Sequence, residues 1–383
     1  VRTVDPAAAG MGNSEYFSGR ANGVSLTALS SLWMSPLSRT FASTSFNFVD
    51  SRNLPALGNQ YFSNLSFTFP VGLKKAMTIG LQPATRADFY IHEGLGSNPN
   101  VYFGDQYYTS ITNYHVEGGL SELYAGYAAK VANNLSLGVK WSWSFGNLFQ
   151  YDTLLTYTVT TDPLSGEVVY SNFASNGSIM QHTHRFRGQT LTFEGRLRSG
   201  KNQFVLSTAI QPLLSITTTR SYASIGDAPE SKYKSDFSIS SLGFGFSHSL
   251  GKSQGLTAEI HRTEDENIPD DIAVFQTLSG ASNSVNLGYY KVFYNPRLSN
   301  WNAINTRAGV YLTQLDKPAG TYYDYGITFG VGIDYIKSQN SVDLALIFGQ
   351  RSSEFEEYSG EKYTSLVLSI TAGEKWFMNR KRK

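Results

Sequence analysis

Apolar and polar residues alternate along most of this chain with a period of two. The run LSLGVKWSWSFG, Leu135–Gly146, shows it most clearly. Leu135, Leu137, Val139, Trp141, Trp143 and Phe145 hold one parity; Ser136, Gly138, Lys140, Ser142, Ser144 and Gly146 hold the other. Successive strand side chains point to opposite faces, so the run predicts a strand with one apolar, aromatic-tipped face and one small, polar face. A soluble sandwich strand shows this over about five or six residues. A longer run matches a tilted strand crossing a bilayer, which takes about 9–11 residues.

The pattern recurs. Leu65, Phe67, Phe69 and Val71 mark one segment, and Met77, Ile79 and Leu81 the next. Leu191, Phe193 and Leu197 oppose Thr192, Glu194 and Arg196, and Leu242, Phe244 and Phe246 oppose Gly243, Gly245 and Ser247. Tyr325, Ile327, Phe329, Val331 and Ile333 alternate with Gly326, Thr328, Gly330, Gly332 and Asp334. Counting all such segments predicts about fourteen strands, an even number, as closed bacterial barrels have. Short polar turns are expected at Gly72–Lys75, Ala132–Asn134, Ser199–Asn202 and Gly251–Gln254, and long connections near 93–112, 151–183, 221–234, 264–281 and 351–361. That sidedness belongs to outer-membrane barrels, with short periplasmic turns and long outer loops. The expected fold is all-β: a transmembrane antiparallel barrel over residues 39–377, with residues 378–383 as a basic periplasmic tail.

Charges on these segments (Glu122, Lys140, Glu194, Arg196, Glu259, Arg307, Asp343) fall on the polar parity and should point into the lumen. On the lipid face a charge would cost about 2–4 kcal/mol near the midplane.

Residues 1–38 do not alternate. Leu26, Leu29, Leu32 and Trp33 recur at helical spacing up to Pro36. One reading is a helix packed on a soluble core. In the context of a barrel the stretch reads as a plug inside the lumen, with Leu26, Leu29, Leu32, Trp33, Met34 and Pro36 as candidates to touch a ligand.

Composition sharpens this. Aromatic residues make up 14% and charged residues 16% of the 383, low in charge for a soluble domain. Mean hydropathy is −0.25 and no apolar run is long enough for a membrane helix. Barrels reconcile these facts, because alternation hides lipid-facing residues from any average. Cysteine is absent and the net charge is +1, which implies no nucleic-acid partner. An outer-membrane destination further implies that a signal peptide has been removed ahead of Val1.

No nucleophile elbow, zinc-protease helix or phosphate loop occurs, so the chain reads as a non-enzyme, without metal or cofactor. His182 and His184 share a face, and His261 lies near Glu264, Asp265 and Glu266; both sets read as solvated loop residues rather than ligands. Lys375, Arg380, Lys381, Arg382 and Lys383 suit anionic lipid or a solvated periplasmic end.

Glu117–Leu148 resembles the fourth and fifth strands of FadL-type outer-membrane transporters of long-chain fatty acids and other hydrophobic compounds, in the form found in Bacteroidota-like bacteria. Tyr325–Ile333, Val342–Arg351 and Leu366–Lys383, with Trp376-Phe377 and the basic tail, are similar to that subgroup's C-terminus. Gly10–Gly12 resembles the glycine-rich N-terminus, and Ser35-Pro36 its Asn-Pro-Ala motif, with serine replacing asparagine and leucine following the proline. The resemblance implies a fourteen-stranded barrel with an N-terminal hatch, and apolar ligands leaving sideways where the third strand kinks. Pro83 sits in that third segment and is the candidate for a lateral opening; a bulge without a portal is the alternative, and Pro212 a second candidate.

Two functions follow as expectations. The first is passive uptake of hydrophobic small molecules through an apolar lumen, plug rearrangement and a side opening, in contact with membrane lipid and lipopolysaccharide. The second is a non-transporting FadL-like adaptor in an outer-membrane secretion or assembly complex, with outer-membrane proteins or lipoproteins as partners. A soluble carbohydrate-binding β-protein would leave apolar faces of this length bare to water.

Overall fold

The computed structural model describes residues 5–20, 24–51, 54–92, 101–103, 106–161, 167–172, 178–222, 231–266, 281–295, 301–317, 320–335, 340–353 and 360–374. The strands are β1 (Ser38–Ser51), β2 (Leu54–Gly72), β3 (Lys75–His92), β4 (Val101–Phe103), β5 (Gln106–Lys130), β6 (Leu135–Thr161), β7 (Val168–Asn172), β8 (Ser178–Ser199), β9 (Asn202–Tyr222), β10 (Ser231–Ser249), β11 (Gln254–Glu266), β12 (Ser282–Tyr294), β13 (Trp301–Lys317), β14 (Gly320–Tyr335), β15 (Asn340–Ser353) and β16 (Glu361–Glu374). All neighbouring pairs are antiparallel, and β1 pairs with both β2 and β16. With β4 and β7 set aside as short outer additions, fourteen strands close into one barrel.

The alternating parities become its two faces. Trp141, Phe244 and Phe329 are 47%, 45% and 49% exposed on the outside, whereas Ser142, Ser144 and Thr328 are buried within. Apolar rings with nowhere to pack in water are stable there only against hydrocarbon.

Two sequence expectations change. The strands run well into the stretches expected as long outer loops: β5 starts at Gln106, β6 reaches Thr161 and β8 begins at Ser178. At 27 residues β6 is roughly 90 Å long, far beyond a bilayer crossing. Residues such as TYTVTT (156–161) are strong strand formers, but threonine dominates the run and only Tyr157 and Val159 mark an apolar parity. The helix expected up to Pro36 is only a 3-10 turn, η1 (Leu29–Met34), with Leu26 outside it. A second short helix, α1 (Pro6–Ala9), starts where the Asp5 carboxylate accepts from the Ala7 amide at 3.0 Å.

Residues 5–20 and 24–37 lie within the periplasmic half of the barrel, since η1 packs on β3, β5, β6 and β8 near their short turns and α1 on β14, β15 and β16. The described plug packs closely there, with its backbone pressed against glycines of the wall. A Cβ on Gly10 would meet the Gly330 Cα at 2.7 Å, and one on Gly138 would meet the Leu29 Cβ at 2.6 Å. Gly12 adopts φ +74° between the Leu287 and Val310 carbonyls, a place only glycine fits.

Candidate functional site

The lumen-facing charges grip the plug. The Glu194 carboxylate accepts from the Leu29 amide (3.0 Å), the Ser30 amide (3.2 Å) and the Ser30 hydroxyl. The Glu259 carboxylate accepts from the Glu15 amide (2.7 Å), the Tyr16 amide (3.1 Å) and the Ser14 hydroxyl. Arg196 donates to the Tyr16 carbonyl at 2.8 Å, and Arg307 to the Ser18 carbonyl at 2.7 Å. Thr328 Oγ1 accepts from the Gly12 amide at 2.7 Å.

At the centre is a buried ion-pair chain. Arg20 forks onto Asp5 (2.7 and 2.8 Å) and also reaches Asp343 (3.1 Å), which pairs with Arg307 at 2.9 Å. Burial works against the Arg20 charge, yet Asp5 and Asp343 outweigh it and hold the guanidinium above its ordinary range. Burial, with Glu15 beside it, likewise pushes the Tyr16 phenol upward, so it stays a neutral hydroxyl against Ser207 and His261.

The plug's apolar side chains do not line one ligand tube. Leu26 packs with Val24 and Phe41, flanked by Met34; Leu29 and Leu32 pack on Ala76 and Ala128, flanked by Trp33. Trp33 also stacks under Lys130, 5.3 Å from its ring centroid, and Pro36 is exposed before β1. Of these candidates only Leu26 and Leu29 reach the lumen cavity of about 330 Å³. Its other walls include Glu122, Lys140, Glu194, Gln82, Asn64 and Thr192, so the space left above the plug is polar, not the apolar lumen expected.

Toward the outside a second closure follows. Val116, Leu120, Leu148, Phe186, Leu214 and Ile216 turn inward and pack together with Ala87. The wall is irregular at that level: ladder register shifts at Pro83/Thr85, Gln189/Leu191 and Phe237/Ile239, and Gly118, Gly119 and Gly146 take positive φ. These bends bring inward-facing residues of five strands close enough to touch.

Pro83 lies on a bulge of β3, which keeps its ladder to β5. On the other side β3 meets β2 only from Gly72↔Lys75 up to Leu65↔Leu81, and no ladder pair joins them above that among the described residues. A cavity of about 460 Å³ opens there, lined by Tyr61, Phe62, Leu81, Arg86, Leu120 and Phe149, and Gln82 and Pro83 line both cavities. Pro212 also sits at a bulge, but β9 stays paired on both sides of it and the wall is closed.

The histidines are not solvated loop residues. His182 and His184 lie on β8 and are buried, with His184 Nδ1 2.9 Å from Thr218 Oγ1. Strand β8 starts earlier than the loop-like sequence suggests, which turns both inward. His261 joins the plug through Glu259 (3.1 Å) rather than Glu264 or Glu266, and the latter lie on β11, not in a loop. Among the described residues no group of three or more His, Asp or Glu is placed to hold a metal. The basic tail, Trp376 and Phe377 lie outside the described residues.

Solved structures share this fold. A Pseudomonas aeruginosa FadL homologue is 12% identical over 97% of this chain and 98% of that one, with a TM-score of 0.60. The P. putida toluene transporter TodX is 14% identical over 98% and 99%, with a TM-score of 0.57. The CymD monoaromatic hydrocarbon channel is 15% identical over 98% and 99%, with a TM-score of 0.55. At such identities the likeness speaks for the fold, a FadL-like barrel of the bacterial outer membrane. No curated protein matches the sequence. The BamG family profile matches residues 23–383, from the second half of the plug through the whole wall, and the chain belongs to the BamG family.

Proposed function

We infer that this BamG-family barrel is a non-transporting subunit of an outer-membrane assembly complex, working through its outer surface while its lumen stays filled. One observation carries the reading: five buried charges of the lumen wall, Glu194, Arg196, Glu259, Arg307 and Asp343, all bond to the plug. Glu194 and Glu259 cap its amides, and Arg20, Asp5, Asp343 and Arg307 form one buried chain across it. Removing one partner from such a chain costs about 3–5 kcal/mol, so moving the plug as a gate is expensive. The family name points the same way, toward the barrel-assembly machinery. The partners are then other outer-membrane proteins or lipoproteins, with lipid and lipopolysaccharide around the wall, and the work asks for no catalysis.

Purification in mild detergent tests this. A stoichiometric complex with the barrel-assembly machinery, and lower levels of other outer-membrane barrels after gene deletion, are the expected results. A lone barrel holding apolar ligand, together with lost uptake of long-chain fatty acid or toluene on deletion, would overturn it.

Uptake of hydrophobic small molecules is the second reading, favoured by the open β2–β3 seam and by the names of the structural neighbours. Ligand burial would supply roughly 0.8 kcal/mol per methylene. Passage would still need a second arrangement of the plug, and the ligand's differential affinity would have to supply its cost.

A further inference from the structure

The open seam has the shape of an unfinished sheet. Residues 58–64 of β2 keep their ladder to β1, and residues 82–88 of β3 keep theirs to β5. Each strand presents its other edge to the gap. Had the lower register continued, Asn59 would lie opposite Ala87. Instead the Asn59 side chain donates to Asp88 at 3.3 Å, and the Arg86 guanidinium lies 5.9 Å from the Tyr61 ring centroid.

A bridge built of two side chains end to end spans up to roughly 10 Å between backbones, about twice the ladder spacing. That reach is enough for one strand between the two edges. The gap is also at a telling height. Phe62 and Leu81 face outward as part of the apolar belt, whereas Arg86 and Asp88 above them are exposed charges. The gap therefore straddles the outer boundary of the hydrocarbon, where lipid tails supply no hydrogen bonds to strand edges. Such edges are templates for another chain.

We propose that the β2–β3 gap is a docking slot for one extended strand of a partner outer-membrane protein, which completes the ladders of residues 58–64 and 82–88. Because β2 and β3 are antiparallel, the guest pairs antiparallel with one and parallel with the other. Its inward side chains meet Leu120 and Phe149 at the back of the cavity, so the guest alternates apolar or small residues with polar ones. A peptide suits the site better than an acyl chain, since it meets both bare backbone edges and the polar Asn59, Gln82, Arg86 and Asp88. The proposal rests on the subunit reading for the kind of partner, and on ladder geometry for the slot.

The chain has no cysteine, and a direct disulfide needs Cα atoms within about 7 Å, so Asn59→Cys and Asp88→Cys are joined across the gap by a short bis-methanethiosulfonate whose mixed disulfides reduction reverses. Independently, a photoreactive benzoylphenylalanine replaces Gln60 or Arg86, both exposed, with Thr321 on β14 as control. Expected in living cells are cross-links from Gln60 and Arg86 to one and the same segment of one partner, and none from Thr321. Bridging Asn59→Cys to Asp88→Cys should cut their yield at least tenfold, and reduction should restore it. Cross-links to lipid, to unrelated segments or within the chain, or yields indifferent to the bridge, overturn the slot. The cross-linking arm uses single exposed substitutions and stands even if the double-cysteine chain fails to fold. If the shared segment belongs to a protein outside the assembly machinery, the slot holds and the subunit reading falls. If the assembly complex purifies intact with the gap locked, the slot falls and the subunit reading holds.

Discussion

Replacing Asp343 by alanine tests the claim that the lumen charges hold the plug. Its carboxylate accepts from Arg20 Nη2 (3.1 Å) and Nε (3.3 Å), Arg307 Nη1 (2.9 Å) and Ser341 Oγ (3.1 Å). The side chains of Asp343, Arg20 and Arg307 are 0–1% exposed. Asp343→Ala leaves two buried guanidiniums with Asp5, which touches Arg20, as the carboxylate still in contact, and with Asp334 nearby. Removing one partner of a buried pair costs about 3–5 kcal/mol, mostly as uncompensated charge. Around the plug the wall is a closed ladder held by its own hydrogen bonds, so the relief lies in the plug lifting away and letting water reach Arg307. At about 1.4 kcal/mol per decade, local opening should rise roughly 10²- to 3,000-fold. Amide hydrogen exchange of the purified barrel reads this at Ala8, Ala9 and Gly10, whose amides are bonded within the first turn. Those amides should exchange faster by that factor while the β1–β16 ladder keeps its protection. A change below about threefold, or equal acceleration of plug and ladder, would refute the reasoning.

Other substitutions probe the remaining contacts. Glu194→Ala removes the acceptor of three donors and should cost about 1.5–3 kcal/mol for each hydrogen bond to charge, making the segment around Ser30 protease-sensitive in the folded barrel. Gly138→Val places a side chain where Leu29 already sits; overpacking of about 1–3 kcal/mol should loosen the same segment, seen by limited proteolysis. Phe329→Arg puts a charge on the lipid face and should destabilise the barrel by about 2–4 kcal/mol in urea titrations in lipid vesicles, far more than in a detergent that lets water reach it. Leu120→Ala opens the inner apolar cluster and should cost about 2–5 kcal/mol, with ion conductance in planar bilayers unchanged because the plug still blocks the pore.

The alternating stretches were legible because a period of two has one meaning in a closed membrane sheet. Every second residue of Leu135–Phe145 must meet hydrocarbon, whatever the neighbours are. The same logic placed Glu194, Glu259, Arg307 and Asp343 on the inside, and the fourth and fifth strands came out at Gln106–Lys130 and Leu135–Thr161. Where strands leave the membrane the signal fades, which is why the outer halves of β5, β6 and β8 read as loops and His182 and His184 as solvated.

What the chain determined by itself was the barrel, its sidedness and the inward parity of its charges, since those depend on local periodicity and on the cost of charge in lipid. What those charges face depended on contacts between residues hundreds of positions apart, such as Asp5, Arg20 and Asp343. No local pattern encodes such contacts, and the filled, polar lumen emerged only with them. Pro83 marked the irregular strand, but ladder pairing on both sides decided that, among the described residues, β3 lacks a β2 partner beside Pro83 whereas β9 keeps both neighbours around Pro212. A proline removes one donor; whether a neighbouring strand stays alongside is settled by the packing of the whole wall.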